Sequence, residues 1–312
     1  NGIAASGNTV IAVGNQAGNS NIIFSTDQGS TWLTGTVAAD PLQNLNAVAV
    51  LSATDAVAVG QSVAPPASTI LRTIDSGLNW TVQAVTGDPG RDLLAVATSG
   101  GTGIAVGLNA GGTSTVLRST DSGVSWNLQA VTLDPGQQLN AVAFSTSANV
   151  VAVGAAGTIL RSTDGGAAWG VVGAAVTGSE LVDVAIDAGD ASRALAVGMA
   201  GTIVRSTDSG ATWAVVGTAV TGNNLNGVVY SGTTAIAVGD GGTIVRSADG
   251  GATWATETSA TANNLNDIIY NGSTGLAVGD AGTIRRSVLT APIFGVAPNP
   301  LAFGNVNVGT PS

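Results

Sequence analysis

Hydrophobic and polar positions alternate with period two through short runs along most of the chain. Runs such as "LNAVAF" (139–144), "VVAVG" (150–154) and "GTIVRS" (201–206) are bounded by Gly, Asn, Asp and Ser. Such runs predict short strands joined by tight turns. No long run rich in Leu, Glu and Lys predicts a helix. No apolar stretch reaches about 18 residues, so none is read as a membrane-spanning helix.

The pattern repeats. Ala-Val-Gly ends at Gly14, Gly60, Gly107, Gly154, Gly198, Gly239 and Gly279, about 40–47 residues apart. A Leu-Asn-Ala-Val-like run begins at Leu45, Leu93, Leu139, Leu181, Leu225 and Leu265, and "NGIAAS" (1–6) matches "NGVVYS" (226–231). A third signal reads "STDQGSTW" (25–32), "TIDSGLNW" (73–80), "STDSGVSW" (119–126), "STDGGAAW" (162–169), "STDSGATW" (206–213) and "SADGGATW" (247–254). All six tryptophans lie in it.

Each unit therefore reads as four strands: the Leu-Asn run, the Ala-Val-Gly run, "GTIVRS", and an outer strand starting at the Trp. Four strands on a period of this length predict a β-propeller. The expected fold is all-β: seven four-stranded antiparallel blades over residues 1–290, the last incomplete within this chain. Ala58, Ala105, Ala152, Ala196 and Ala237 lie mid-strand, where small residues let neighbouring blades approach and one large Trp per blade fills the remaining volume.

Composition narrows the chemistry. There is no Cys, His or Lys; all nine cations are arginines, and the net charge is -10. This removes disulfides, thiolate metal sites, thiol nucleophiles and any Ser-His-Asp triad. The acidic balance argues against nucleic acid and anionic membranes as partners. No metal site and no cofactor is expected.

The Ser-x-Asp-x-Gly-x-Thr-Trp motif resembles the Asp-box of the BNR repeat family, which includes sialidases, xyloglucanase-type glycosidases and a photosystem II assembly factor. The resemblance covers residues 1 to about 290. It implies that Asp27, Asp75, Asp121, Asp164, Asp208 and Asp249, with Trp32, Trp80, Trp126, Trp169, Trp213 and Trp254, are fold elements remote from any active site. The residue types agree. A short carboxylate can accept amide bonds within its own turn, Gly permits positive φ, and Trp covers the turn with an apolar face.

A sialidase-like site needs three converging arginines. Arg72, Arg118, Arg161, Arg205, Arg246 and Arg286 share one repeat register and so point in different directions around a ring. Their expected role is an apolar stem between blades, with the guanidinium on a carboxylate or a Trp face. Arg91, Arg193 and Arg285 fall outside that register but in unrelated strands and loops, and Tyr230 and Tyr270 are repeat-equivalent. No sialidase site is expected.

A xyloglucanase-like site needs only two carboxylates. Candidates are Asp40, Asp88, Asp92, Asp134, Asp183, Asp267, Glu180 and Glu257; Asp183 and Asp267 fall on innermost strands facing a central channel. The tryptophans are all committed to boxes, and few other aromatics remain for a sugar platform.

Loops are unequal. Blades 1–3 have long polar second-to-third-strand loops (15–21, 61–68, 108–114) and Asp-Pro in the following linker; blades 4–7 have minimal turns such as "AAG" (155–157). Candidate binding-face residues are Asn15, Asp40, Asp88, Arg91, Asp92, Asn109 and Asp134. The seventh unit lacks a box after Ser287. Its closing strand is expected from residues before Asn1, from part of 288–296, or from another chain. The tail "VAPNPLAFGNVNVGTPS" resembles the start of immunoglobulin-like repeats of the choice-of-anchor D type, so 291–312 is expected to be a linker and the start of such a domain. The function expected is a non-catalytic scaffold or binding module, extracellular or at the cell surface. Its partner would be a protein or glycan on one face, or the chain itself through strand exchange. The alternative is a glycoside hydrolase.

Overall fold

The computed structural model describes residues 2–16, 19–63, 67–172, 176–216, 220–270, 274–288 and 304–305. They form seven sheets arranged as a propeller. In blade 1 the strands are Gly2–Ser6, Thr9–Gln16, Asn19–Ser25 and Leu33–Thr34, paired antiparallel in that order. The innermost strand faces the axis and the box turn joins the third strand to the outer one.

Blades 1, 5, 6 and 7 have four strands; blades 2, 3 and 4 have five. The expected four antiparallel strands are present in each blade, and blades 2, 3 and 4 carry one strand more. After its outer strand, each of the first three blades sends a short segment onto the next blade. Thr36–Ala38, Ala84–Thr86 and Val131–Thr132 pair parallel with the outer strands of blades 2, 3 and 4. The chain leaves one sheet and joins its neighbour within a few residues, stitching the ring along its rim.

The expected gap in the last blade is corrected. Gly304–Asn305 pairs antiparallel with Arg286 and Arg285 of Thr283–Val288 as a fourth strand. These two residues lie in the stretch expected as linker; the remainder of 291–312 is outside the described residues, and with it the immunoglobulin-like resemblance.

Every innermost strand from blade 2 onward carries a register shift after its first leucine, between Leu45/Ala47, Leu93/Ala95, Leu139/Ala141, Leu181/Asp183, Leu225/Gly227 and Leu265/Asp267. A β-bulge re-aims the extra residue. In blades 2, 4 and 6 that residue is an Asn that reaches the next blade: Asn46, Asn140 and Asn226 donate through Nδ2 to the carbonyls of Leu93, Leu181 and Leu265 at 2.8, 2.8 and 3.0 Å, whereas Asn266 of blade 7 donates to Asp280 Oδ1 of its own blade at 2.9 Å. The Ala-Val-Gly glycine belongs to the same construction. A Cβ at Gly107 or Gly154 would strike the carbonyl oxygen of Asp92 or Gln138, just ahead of the bulge.

Among the described residues, apolar clusters fill six of the seven junctions. Between blades 2 and 3, Val57, Val59 and Ile70 meet Ala105, Leu117 and a fully buried Trp126. Val37, Val85 and Val131, on the stitching segments, pack onto the first three clusters. Between blades 7 and 1 the packing is looser. Trp32, Leu276, Val278 and Ile284 are only half-buried, and with Ile3, Ile23 and Arg286 they line a cavity of about 290 Å3.

Candidate functional site

The box is a closed hydrogen-bond circuit. In blade 5, Ser206 Oγ donates to Asp208 Oδ1 at 2.8 Å and accepts the Gly210 amide at 2.9 Å. Asp208 Oδ1 also accepts the Thr212 amide at 2.8 Å, Oδ2 accepts Thr212 Oγ1, and Trp213 Nε1 donates to the Gly210 carbonyl at 3.1 Å. Gly210 sits at φ 79°, open to glycine. The circuit recurs at Asp27, Asp75, Asp121, Asp164 and Asp249. Hydroxyl donors hold Asp27, Asp121 and Asp249 down to about 2; the largest contributions come from Thr31, Ser125 and Thr253. Both carboxylate oxygens are engaged inside the turn at Asp27, Asp75, Asp121, Asp208 and Asp249, which leaves little for a substrate or ion; at Asp164, where Ala168 stands at the position of Thr212, the turn's bonds all fall on Oδ1.

The arginines before the box do something the sequence reading missed. Arg72, Arg118, Arg161 and Arg205 donate through Nε to the carbonyls of Ser122, Gly165, Ser209 and Gly250, at 2.8, 2.8, 2.9 and 2.8 Å. Each acceptor directly follows the box Asp of the next blade, so each arginine clamps its neighbour's turn. The expected carboxylate partner is present for Arg72, with Asp55 at 3.6 Å. Arg246 faces blade 7, which has no box, and its Nε has no hydrogen-bond partner among the described residues. Arg193 pairs instead with Asp187 and Asp190 in its own turn.

Asp183 and Asp267 do line the central channel, with Asn46, Asn140, Asn226 and Asn266, around a volume of about 210 Å3. Asp183 accepts the Val184 and Val228 amides at 2.8 and 2.7 Å, tying blade 5 to blade 6. Asp267 accepts the Ile268 and Ile3 amides at 2.8 and 3.1 Å, tying blade 7 to blade 1. Burial pushes the Asp183 carboxyl up to about 7, with the Asp267 charge adding to it; burial pushes Asp267 up to about 6. Glu180 accepts Gln138 Nε2 and Asn140 Nδ2 near the same end of the channel. Glu257 is raised by burial and lies on an outer strand.

The long loops and the linkers meet on one face. Asp88 accepts the Ser68 amide and hydroxyl at 2.8 and 2.7 Å and the Gly90 amide at 2.8 Å. Asp134 repeats this on Ser114 and Gly136, and Asp40 holds the amides of Ser20 and Leu42. These Asp-Pro aspartates cap the linker and fasten it to the start of their own blade's third strand. Asp92 accepts the Ser62 amide and hydroxyl, and Asn109 donates to the Gly136 carbonyl. The Arg91 amide donates to Ser68 Oγ while its residue stays exposed. Asn15 pairs through its backbone with Ser20 at the base of the first hairpin. Among the described residues, this face of blades 1–3 is thus a braced platform.

No family model and no curated protein sequence matches the chain. Solved structures do. YCF48 from Cyanidioschyzon merolae superposes with a TM-score of 0.70 at 19% identity, over 91% of this chain and 93% of that one. YCF48 bound to D1 peptide gives 0.70 at 20%, over 92% and 90%. The GH74 xyloglucanase from Xanthomonas campestris gives 0.73 at 16%, over 97% of this chain and 53% of its own, so this chain spans about half the enzyme's length. At these identities the likeness establishes the fold, which is shared by binding proteins and enzymes.

Proposed function

We infer that the ring is a non-catalytic scaffold, of the Asp-box propeller type, that binds a protein partner on the face built up over blades 1–3. The observation that carries this reading is the asymmetry of that face. Its second strands run to 8, 8 and 9 residues in blades 1–3, against 5 and 5 in blades 4 and 5, where three-residue turns close the hairpin. Elaborated loops on a rigid frame are where recognition is placed. A propeller of the same fold is known bound to a peptide. An extracellular or cell-surface setting, with 291–312 leading into an immunoglobulin-like domain, fits the low charge and the lack of Cys and Lys. The test replaces residues 15–21, 61–68 and 108–114 with the turn of residues 155–157. Partners captured from the medium of producing cells should be lost while the melting temperature holds. Capture that survives all three replacements contradicts the reading.

One observation favours a second reading, a glycoside hydrolase. Asp183 and Asp267 share the channel, and both carboxyls are raised toward neutral pH, as a general acid requires. Against it, each carboxylate is bound by two backbone amides. No Trp lines the channel. This reading demands hydrolysis that Asp183→Asn abolishes.

A further inference from the structure

The three Asp-Pro linkers are equivalent position by position: 36–45, 84–93 and 130–139. At the residue before the Asp, the backbone is left-handed in all three, with φ 53° at Ala39, 69° at Gly87 and 54° at Leu133. Two residues after the Asp it is left-handed again, with φ 57° at Leu42, 60° at Gly90 and 65° at Gly136. Glycine takes this conformation freely; a branched side chain pays for it in steric strain. Leu133 and Leu42 stand where an equivalent linker has glycine. Burial does not compensate them, because Leu133 is 87% exposed and Leu42 53% exposed. The turn itself lets each Asp accept the amide two residues on, but nothing in that bond calls for leucine; an exposed leucine kept at a strained position points to function. Leu42, Arg91 and Leu133 lie within three residues of the linker Asp in three successive linkers, and Met199 (38% exposed) lies on the second-to-third-strand turn of blade 5.

We propose that Leu42 and Leu133 are anchor residues of a docking surface for a basic partner segment that carries apolar side chains. This rests on the reading of that face as the binding face and specifies its ligand chemistry. Charge decides between occupants. The surface holds Asp40, Asp88, Asp92 and Asp134 against Arg91 alone, and the whole chain carries -10. A second copy would bring the same negative charge to the contact, whereas a cationic segment is steered onto it. The leucines then supply the desolvated contact area that charge alone does not.

The experiment uses the whole chain and three fluorescein-labelled 12-residue peptides: alternating Lys and Leu, alternating Glu and Leu, and alternating Lys and Ser. Anisotropy at low salt should show binding of the Lys–Leu peptide alone. In the double variant Leu42→Gly, Leu133→Gly its affinity should fall at least tenfold, with the melting temperature unchanged or higher because strain is relieved. Arg91→Ala should tighten it about twofold. Failure of the two readings is distinguishable. If the Lys–Leu peptide is lost on replacing the three long loops but not in the double-glycine variant, the platform binds and the leucine anchors are overturned. If the Glu–Leu peptide binds instead, or the double variant melts lower, the proposal is also overturned. Binding unaffected by either change removes the face itself.

Discussion

Asp208 accepts three bonds at the tip of one hairpin, and its loss is felt by each donor. Asp208→Ala leaves Ser206 Oγ, the Thr212 amide and Thr212 Oγ1 without their acceptor. The expected cost is about 1–3 kcal/mol, read as a lower urea midpoint. The arginine clamp predicts a contrast within one register. Arg118→Ala removes a bond to the Gly165 carbonyl and should cost about 1–3 kcal/mol, whereas Arg246→Ala removes no such bond and should cost less. Equal midpoints for the two variants would remove the clamp. The channel carboxylates predict a pH dependence of opposite sign to the boxes. Asp183 and Asp267 have folded values near 7 and 6, above the 3.8 of a free Asp. Their contribution is most favourable below about pH 3.8 and is lost as pH rises to those values, at about 1.4 kcal/mol per pH unit for each group while it lasts. Asp267→Asn keeps an acceptor for the Ile3 amide and removes the buried charge. It should be more stable than the parent at pH 8 and no more stable at pH 4. Denaturant titrations at the two pH values read this directly.

At the scale of the blade, stability is set at the junctions. Trp126 is fully buried between blades 2 and 3, so Trp126→Ala should cost about 3–5 kcal/mol. Trp32 borders the cavity between blades 7 and 1 and is half-buried, so Trp32→Ala should cost clearly less. Differential scanning calorimetry of the pair checks the difference. The blades themselves were legible in the sequence, because period-two strands and a recurrent Ser-Asp-Gly-Trp turn are local signals. Three things were not. The stitching strands at Thr36–Ala38, Ala84–Thr86 and Val131–Thr132 pair with a neighbour's edge, and nothing local distinguishes that from continuing in their own sheet. The bulged Asn and the arginine clamp join residues about 40–50 positions apart. The Leu-Asn repeat and the Arg before each box were their visible trace, but their partners exist only once blades stack. The Asp-Pro aspartates were read as ligand candidates, whereas their oxygens face the hairpin they brace. Asp183 and Asp267 line the channel as expected, because both lie on innermost strands, at the axis edge of their blades.

At the scale of the ring, six well-packed junctions and one looser one make the seam between blades 7 and 1 the first place to open. Hydrogen exchange should be fastest at the amides of Thr9–Gln16 and Thr274–Gly279 relative to the matching strands of blades 2–5. Uniform protection around the ring would contradict this. No helix among the described residues is long and apolar enough to cross a membrane. Repetition marks the frame: the box and the bulge each recur in six blades and the arginine clamp in four, and each joins the protein to itself. On the scaffold reading proposed above, Asp183 and Asp267 fasten blades and cleave no substrate. Reducing-end release from a panel of soluble β-glucans and xyloglucans, measured at pH 5–7 for the parent chain and for Asp183→Asn, tests it most directly. Neither should release sugar above buffer. Release by the parent that disappears in Asp183→Asn would contradict that reading and make the channel an active site.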